Sequence, residues 1–376
     1  MKPQISQITQ MPKQRGVILL RNLRNLWLLF PLLLAAQNFP VGVTTTVLVD
    51  QSRTDALTKK PRTLVTEIWY PATDDSKTLP KNRYRDFFAG GISTELDTLL
   101  QRTYRMPVDQ IEKLYWNNAV RDARVRPGRY PLIVFSHGNG GTRNQNTFWC
   151  DHLASLGYII VSADHTGNAR HTVIDGELIP GQGSQRQQSG IDRPKDMIFL
   201  LDSMTRWDRG ADSRFAGRID TEHAAVTGMS FGSYSAIQTA DVEPRFKALL
   251  GMAAAPPAHT NLAIPALLMM GAKDATIGEA GNAMIRKYAA AHEGPTYLLE
   301  LTNGGHWSFT DMFKINKTFG DGIGPAFTSM EQTYEIVNAY SAAFLGLYLK
   351  GEQAHAKYLG ENHWPDAVKW TATNAP

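Results

Sequence analysis

Ala224-Ala225-Val226-Thr227-Gly228-Met229-Ser230-Phe231-Gly232 is the stretch on which the fold of this chain turns. A run of small and β-branched residues enters the pattern Gly-x-Ser-x-Gly, and a helix-like segment follows it. A strand, a tight turn and a helix in this order hold a serine in strained backbone so that its hydroxyl stands above the end of a sheet. Side chains two residues to either side would strike the neighbouring helix and strand, which accounts for Gly228 and Gly232. The helix also turns its unpaired N–H groups toward the place where negative charge would gather. With 31 glycines in the chain the pattern alone is weak, so its context decides.

Upstream and downstream, short apolar runs alternate with helix-like segments. Strands are expected at 44–50, 63–70, 131–136, 158–163, 223–227, 247–252, 266–271 and 296–301. The last six are nearly continuous in β-branched and aliphatic residues, as required of strands covered on both faces. Helices are expected near 143–156, 192–207, 232–240, 278–292 and 331–349. The alternation from Pro131 onward calls for right-handed crossovers and a mostly parallel sheet, while the first two strands, with no helix between them, pair antiparallel. The fold class that follows is α/β, with a mostly parallel eight-stranded sheet flanked by helices, in the order of the α/β-hydrolase fold. One domain is expected over 41–350, with 351–376 as a C-terminal extension. Residues 72–128 interrupt the alternation with a long segment rich in Tyr, Phe, Trp and Arg, read either as a cap over the site or as an insertion packed on a remote face.

A serine hydroxyl is a poor nucleophile near neutral pH until a base takes its proton, and histidine is the side chain suited to that. After the last expected strand comes Asn303-Gly304-Gly305-His306-Trp307, where two glycines permit a turn that swings an imidazole toward Ser230. His306 is therefore the candidate base. The imidazole needs a carboxylate on its far nitrogen, and Asp274 stands just past the strand 266–271, where functional groups of open α/β sheets collect. Glu279, Asp311 and Asp321 are nearby in sequence and compete for that role. The order Ser, Asp, His is the one this fold requires. Upstream, Ser136-His137-Gly138-Asn139-Gly140-Gly141 closes a strand with a glycine-rich loop, whose Asn139 amide, or failing that Gly140, is expected to form an oxyanion hole with the amide of Phe231.

Composition excludes several other classes. At 43% hydrophobic and 20% charged, 376 residues are ordinary globular usage, and neither repeats nor low-complexity tracts are present. The net charge of +4 is misleading: residues 1–36 carry five basic residues and no acid, and without them 34 basic residues face 35 acidic ones. The body thus has no electrostatic reason to bind nucleic acid. The same leader holds an apolar run from Leu26 to Ala36, too short to span a bilayer, which needs about 20 residues. Charge, short apolar run and small residues form an export-signal pattern, with an N-terminal membrane anchor as the alternative, and they point to a periplasmic or secreted protein. Cys150 is the lone cysteine, so no disulfide can form within the chain. His137, His165 and His171 lack a metal-ligand spacing, and no metal or cofactor is expected.

Several stretches together resemble the platelet-activating factor acetylhydrolase family and its bacterial relatives described as dienelactone hydrolase-like. They are Glu67-Ile68-Trp69-Tyr70-Pro71, the run Pro131 to Gly138, Leu153 to Tyr158 leading to Ala163-Asp164-His165, Arg193-Pro194-Lys195-Asp196, Arg218-Ile219-Asp220, the Ser230 turn and Arg245-Phe246-Lys247-Ala248. The resemblance covers most of the chain from Val41 onward. It implies a calcium-independent serine esterase acting on short acyl groups, including the acetyl ester of an ether phospholipid, with Ser230 and His306 as nucleophile and base and Asn139 and Phe231 at the oxyanion. The sequence departs from the animal plasma branch, whose acid follows the strand here ending at Met252; that loop lacks a carboxylate, which leaves the role to Asp274. Dienelactone hydrolases proper use a cysteine nucleophile, against which Ser230 stands.

The function expected is therefore hydrolysis of short-chain carboxylic esters through an acyl-enzyme, on a small-molecule or lipid ester, with peripheral contact to a lipid surface among the expectations. A polyester or other carboxylester hydrolase is the alternative, and a non-catalytic binding protein on the same scaffold is a further one.

Overall fold

Strands that are apolar on both sides need cover on both sides, and the six such runs form the middle of one sheet. The computed structural model describes residues 38–88, 90–253, 256–257, 262–315 and 320–376; the expected leader at 1–36 lies outside the described residues. The strands are β1 (Val41–Thr54), β2 (Pro61–Pro71), β3 (Ala119–Arg121), β4 (Tyr130–Ser136), β5 (Ile159–Ala163), β6 (His171–Ile174), β7 (Glu177–Pro180), β8 (Ile219–Met229), β9 (Phe246–Met252), β10 (Ala266–Gly271), β11 (Thr296–Leu301) and β12 (Val368–Thr373). The main sheet runs β12-β11-β10-β9-β8-β4-β5-β2-β1-β3, and β6 with β7 makes a separate hairpin. From β11 across to β5 all neighbours are parallel, whereas β2 lies antiparallel to both β5 and β1.

Among the described residues the main sheet thus has ten strands rather than the eight expected. β3 is only three residues long, too short to show a period of two, and pairs parallel with Val41 to Val43 at one edge. β12 pairs antiparallel with all of β11 at the other edge, so residues 351–376 are part of the folded unit rather than an appendage. The chain from Phe39 to Pro376 is one compact unit.

Helices α1 (Thr94–Tyr104), α2 (Val108–Leu114), α3 (Thr147–Ser155), α4 (Arg186–Arg206), α5 (Phe231–Val242), α6 (Gly278–Ala291), α7 (Met312–Ile315), α8 (Met330–Lys350) and α9 (Ala354–Leu359) cover the sheet. Alternation along a strand decides which face each side chain serves. Ile133 and Phe135 of β4 pack with Trp149 and Leu153 of α3 and with Val337, Tyr340 and Phe344 of α8. Leu132 and Val134 pack on the opposite face with Met197, Leu200 and Met204 of α4 and Ala236 and Ile237 of α5. Trp149, with no exposed surface, donates its indole N–H to Ser341 Oγ at 2.9 Å, so its burial leaves that donor satisfied. Among the described residues no helix is long and apolar enough to cross a membrane.

The segment 72–128 contributes α1, α2 and β3, and its buried residues Leu96, Leu100, Ile111 and Tyr115 join the same core as α3 and α8. It does not pack on a remote face. Tyr84, Leu99, Tyr104 and Tyr115 line a cavity of about 410 Å³ together with Gly140, Gly141, Gln145 and Trp307, at the strand ends where the candidate residues gather. Arg143 donates to the carbonyl of Phe87, and the Tyr115 hydroxyl to the carbonyl of Asn144 at 3.1 Å, which fastens the insertion to the loop after β4.

Candidate active site

Ser230 sits between β8 and α5 with φ 56° and ψ −122°, a left-handed conformation that costs a β-carbon residue about 1–3 kcal/mol. Its N–H donates to the carbonyl of Met252 at 2.7 Å, and the packed strand and helix hold the turn. A β-carbon at Gly228 would strike the backbone of Gly232 and Ser233; one at Gly232 would strike the carbonyls of Ser136 and His137. Neither obstacle is a flexible side chain, so Gly232→Ala is expected to lower stability by about 3 kcal/mol, read as a reduced midpoint of urea unfolding.

The structure brings the three expected side chains together. His306 Nε2 is 2.9 Å from Ser230 Oγ, and His306 Nδ1 is 2.7 Å from Asp274 Oδ2. His306 and Asp274 are 3% and 4% exposed, which keeps water from competing for these bonds. Asp274 Oδ1 accepts from the amides of Thr276 and Ile277 at 2.9 and 3.0 Å, so the carboxylate is held in place while its other oxygen faces the imidazole. A carboxylate at Nδ1 selects the tautomer that carries its proton there and leaves Nε2 free to accept from Ser230.

The three competing acids do other work. Glu279 pairs with Arg286 at 2.7 Å. Asp311 accepts from the amides of Thr147 and Phe148 at the start of α3 and pairs with Lys314 at 3.1 Å. Asp321 accepts from the amides of His306 (3.0 Å), Ala275 (3.1 Å) and Thr276 (2.9 Å) and from the Thr276 hydroxyl (2.6 Å). It ties the turn that carries the imidazole to the turn that carries Asp274. Because three of those four contacts are to backbone amides, the residue types in sequence give little signal of them.

Asn139 and Phe231 line the same cleft as Ser230 and His306, a space of about 1090 Å³ also walled by Met229, Tyr234, Ile277 and Trp307. Gly140 lines the adjoining smaller cavity instead, which favours Asn139 for the oxyanion position. Gln145, which sequence reading passed over, accepts from the amide of Gly138 through its Oε1 at 3.0 Å, and the amide of Gly141 donates back to the Gly138 carbonyl at 3.0 Å.

His137, His165 and His171 lie buried beneath this loop. His165 bridges Ser136 Oγ and Asp196 at 2.9 Å each, and His137 Nδ1 donates to the Gly138 carbonyl at 2.7 Å. Among the described residues no group of three His, Cys, Asp or Glu side chains is placed to hold a metal. Burial, and then the nearby Arg193 charge, push His165 down to about 4 and hold His137 well below the usual imidazole range; burial, with Arg143 and Arg170, pushes His171 down to about 3. Between those values and the ordinary 6.5 the unfolded chain binds more protons than the native one, so these groups make stability rise with pH from about 4 to 6.5 and fall on acidification. Asp151, pushed up to about 7 by burial, acts in the opposite sense from about 4 to 7. His171→Asn removes one of the titrating imidazoles and is expected to flatten the dependence of Tm on pH below 6.5; an unchanged slope would contradict the assignment.

The fold and this geometry define the class: a serine hydrolase of the α/β-hydrolase fold. A family model described as PET hydrolase-like matches residues 125–320, and one described as platelet-activating factor acetylhydrolase, isoform II, matches residues 36–175. Since the first spans more than half of it, the chain belongs to the PET hydrolase-like family of α/β hydrolases. The platelet-activating factor acetylhydrolase of Gallus gallus is 22% identical over 309 residues, 67% of this chain and 71% of that protein. The enzyme of the same name from Cavia porcellus is 24% identical over 219 residues, 48% of this chain and 47% of the relative. Among solved structures, a ferulic acid esterase from Streptomyces cinnamoneus is 25% identical with a TM-score of 0.67, covering 84% of this chain and 92% of that one. The resemblance read from Glu67 to Ala248 is thus matched by sequence relatives and by shape.

Proposed function

We propose that the chain hydrolyses short-chain carboxylic esters through an acyl-enzyme on Ser230, with His306 as the base that takes and returns the proton and Asp274 as the acid that orients it. The observation that carries this reading is the line of hydrogen bonds from Ser230 Oγ through His306 to Asp274, at 2.9 and 2.7 Å, opening on a cleft that also holds Asn139 and Phe231. As Ser230 Oγ attacks, its proton passes to Nε2 and the carbonyl oxygen becomes an alkoxide facing the amides of residues 139 and 231. His306 then protonates the leaving alcohol, and water repeats the sequence to release the acid.

The relatives' name supports an acetyl ester of an ether phospholipid as one substrate, and exposed Leu114 and Trp116 on the insertion give a lipid surface something to meet. The leader, with its charges and short apolar run, supports work in the periplasm or outside the cell. A second reading, polyester hydrolysis, is favoured by the PET hydrolase-like family match. The test is a panel of nitrophenyl esters from acetyl to palmitoyl, with the acetylated ether phospholipid, a PET film and Ser230→Ala as control. A steep fall in kcat/KM beyond short acyl chains is the expected result; a flat profile or a long-chain optimum would overturn the short-acyl reading.

A further inference from the structure

The loop that carries Asn139 and the helix that begins at Phe231 are separate in sequence, yet one buried cation touches both. Arg193, on α4, has no exposed surface, and among the described residues no carboxylate lies within ion-pair distance of it. Its Nη1 donates to the carbonyl of His137 at 2.5 Å and to Ser136 Oγ at 3.2 Å. Its Nη2 donates to the carbonyl of Gly138 at 3.2 Å and to Asn168 Oδ1, while Asn168 Nδ2 in turn donates to Asn139 Oδ1 at 2.9 Å. The guanidinium carbon also stands 4.7 Å from the centroid of the Phe231 ring.

We propose that Arg193 is the positioning residue of the oxyanion hole, fixing the direction of the Asn139 amide and the place of Phe231 while touching no reacting atom. The inference rests on the ester-hydrolase reading above. The carbonyl of Gly138 and the N–H of Asn139 belong to one planar trans peptide and point to opposite sides of it. Whatever anchors that oxygen therefore aims that hydrogen. The oxygen accepts from Arg193, from His137 Nδ1 and from the amide of Gly141, so three donors on one side hold the N–H to the other. A cation on the carbonyl also polarises the peptide and makes its N–H a stronger donor. On the second half of the hole, stacking on Phe231 holds the first residue of α5 against the same loop.

Burial of an arginine without a carboxylate partner is costly, and its guanidinium is pushed down to about 9 by desolvation, so it remains a cation at neutral pH. Asp196, one turn further along α4, lies close enough to favour the charge but spends its oxygens on Arg53, Arg62 and His165. The fork of Arg193 is left for the loop. A lysine keeps the charge and can reach one carbonyl, but it cannot grip His137, Gly138 and Asn168 together.

The experiment compares wild type, Arg193→Lys and Arg193→Gln on nitrophenyl acetate, with rates expressed per site titrated by a fluorophosphonate, and measures inhibition by a trifluoromethyl ketone that forms a tetrahedral adduct on the serine. Arg193→Gln is expected to lose about 10²-fold in kcat with KM within about threefold, and Arg193→Lys to recover about tenfold of that loss. In both variants the Ki of the ketone rises in proportion to the fall in kcat/KM, which loss of folded protein, removed by the titration, does not produce. Should Arg193→Gln fail to fold, Arg193→Lys carries the same comparison. A folded variant with wild-type kcat per titrated site, or a loss confined to KM, or an unchanged Ki beside a reduced kcat/KM, overturns the proposal. Failure of the hydrolase reading shows separately, as absence of titratable sites in the wild type.

Discussion

Ser230→Ala is expected to lower kcat on a short nitrophenyl ester by about 10⁶-fold while leaving the protein folded, as measured against wild type in the same ester assay with Tm as the check. The size follows from what is removed. Without the hydroxyl no acyl-enzyme can form, and His306, now facing a methyl group, has no proton to accept. What survives is the oxyanion pair and the cleft acting on a bound water, which alone retains only a modest advantage over solution. Ser230 is also strained at φ 56°, and alanine inherits that strain, so no large gain or loss of stability is expected. Turnover within tenfold of wild type would remove Ser230 from the mechanism altogether.

Asp274→Asn is expected to cost about 10⁴-fold in kcat with little change in KM. The substitution keeps shape and volume but gives the His306 Nδ1 face an amide that can present N–H instead of oxygen. The imidazole then favours the tautomer with its proton on Nε2, where it cannot accept from Ser230. Thr276 and Ile277 donate to Asp274 Oδ1 and would hold the asparagine oxygen, which turns its NH₂ toward the ring. Asp321→Asn is the informative companion in the same assay, since Asp321 meets His306 through its backbone amide and not its ring, and a loss as large as that of Asp274→Asn would mean that the acid had been misassigned.

The centre of the fold was legible because a fully covered parallel strand leaves a run of apolar residues that little else produces, and β4, β5 and β8 to β11 all carry one. The Ser230 turn was legible for a different reason: Gly228 and Gly232 are forced by backbone that would otherwise collide. The edges were not. β3 is too short to declare a period, and β12, behind Pro365, looks like a tail until β11 is beside it. Ser230, His306 and Asp274 could be named because each follows a recognisable strand, and the structure places all three in contact. The contacts of Asp321, Gln145 and Arg193 could not be read in the same way, since each is made largely to backbone atoms, and nothing in a residue's identity says which carbonyl or amide it will find. Arg193 stood inside a stretch quoted for its resemblance, yet nothing in its neighbours along the chain names the carbonyls it meets.

β12 gives the molecule's last described strand an unexpected reach. It is the outer neighbour of β11, whose end leads straight into the turn bearing His306, and six residue pairs join the two. A chain cut before Val368 would leave those β11 amides and carbonyls open to any extended segment in solution, so the same deletion that loosens the imidazole's footing would also invite molecules to stick edge to edge. Truncation or a bulky fusion at that end is thus a threat to solubility and to turnover together.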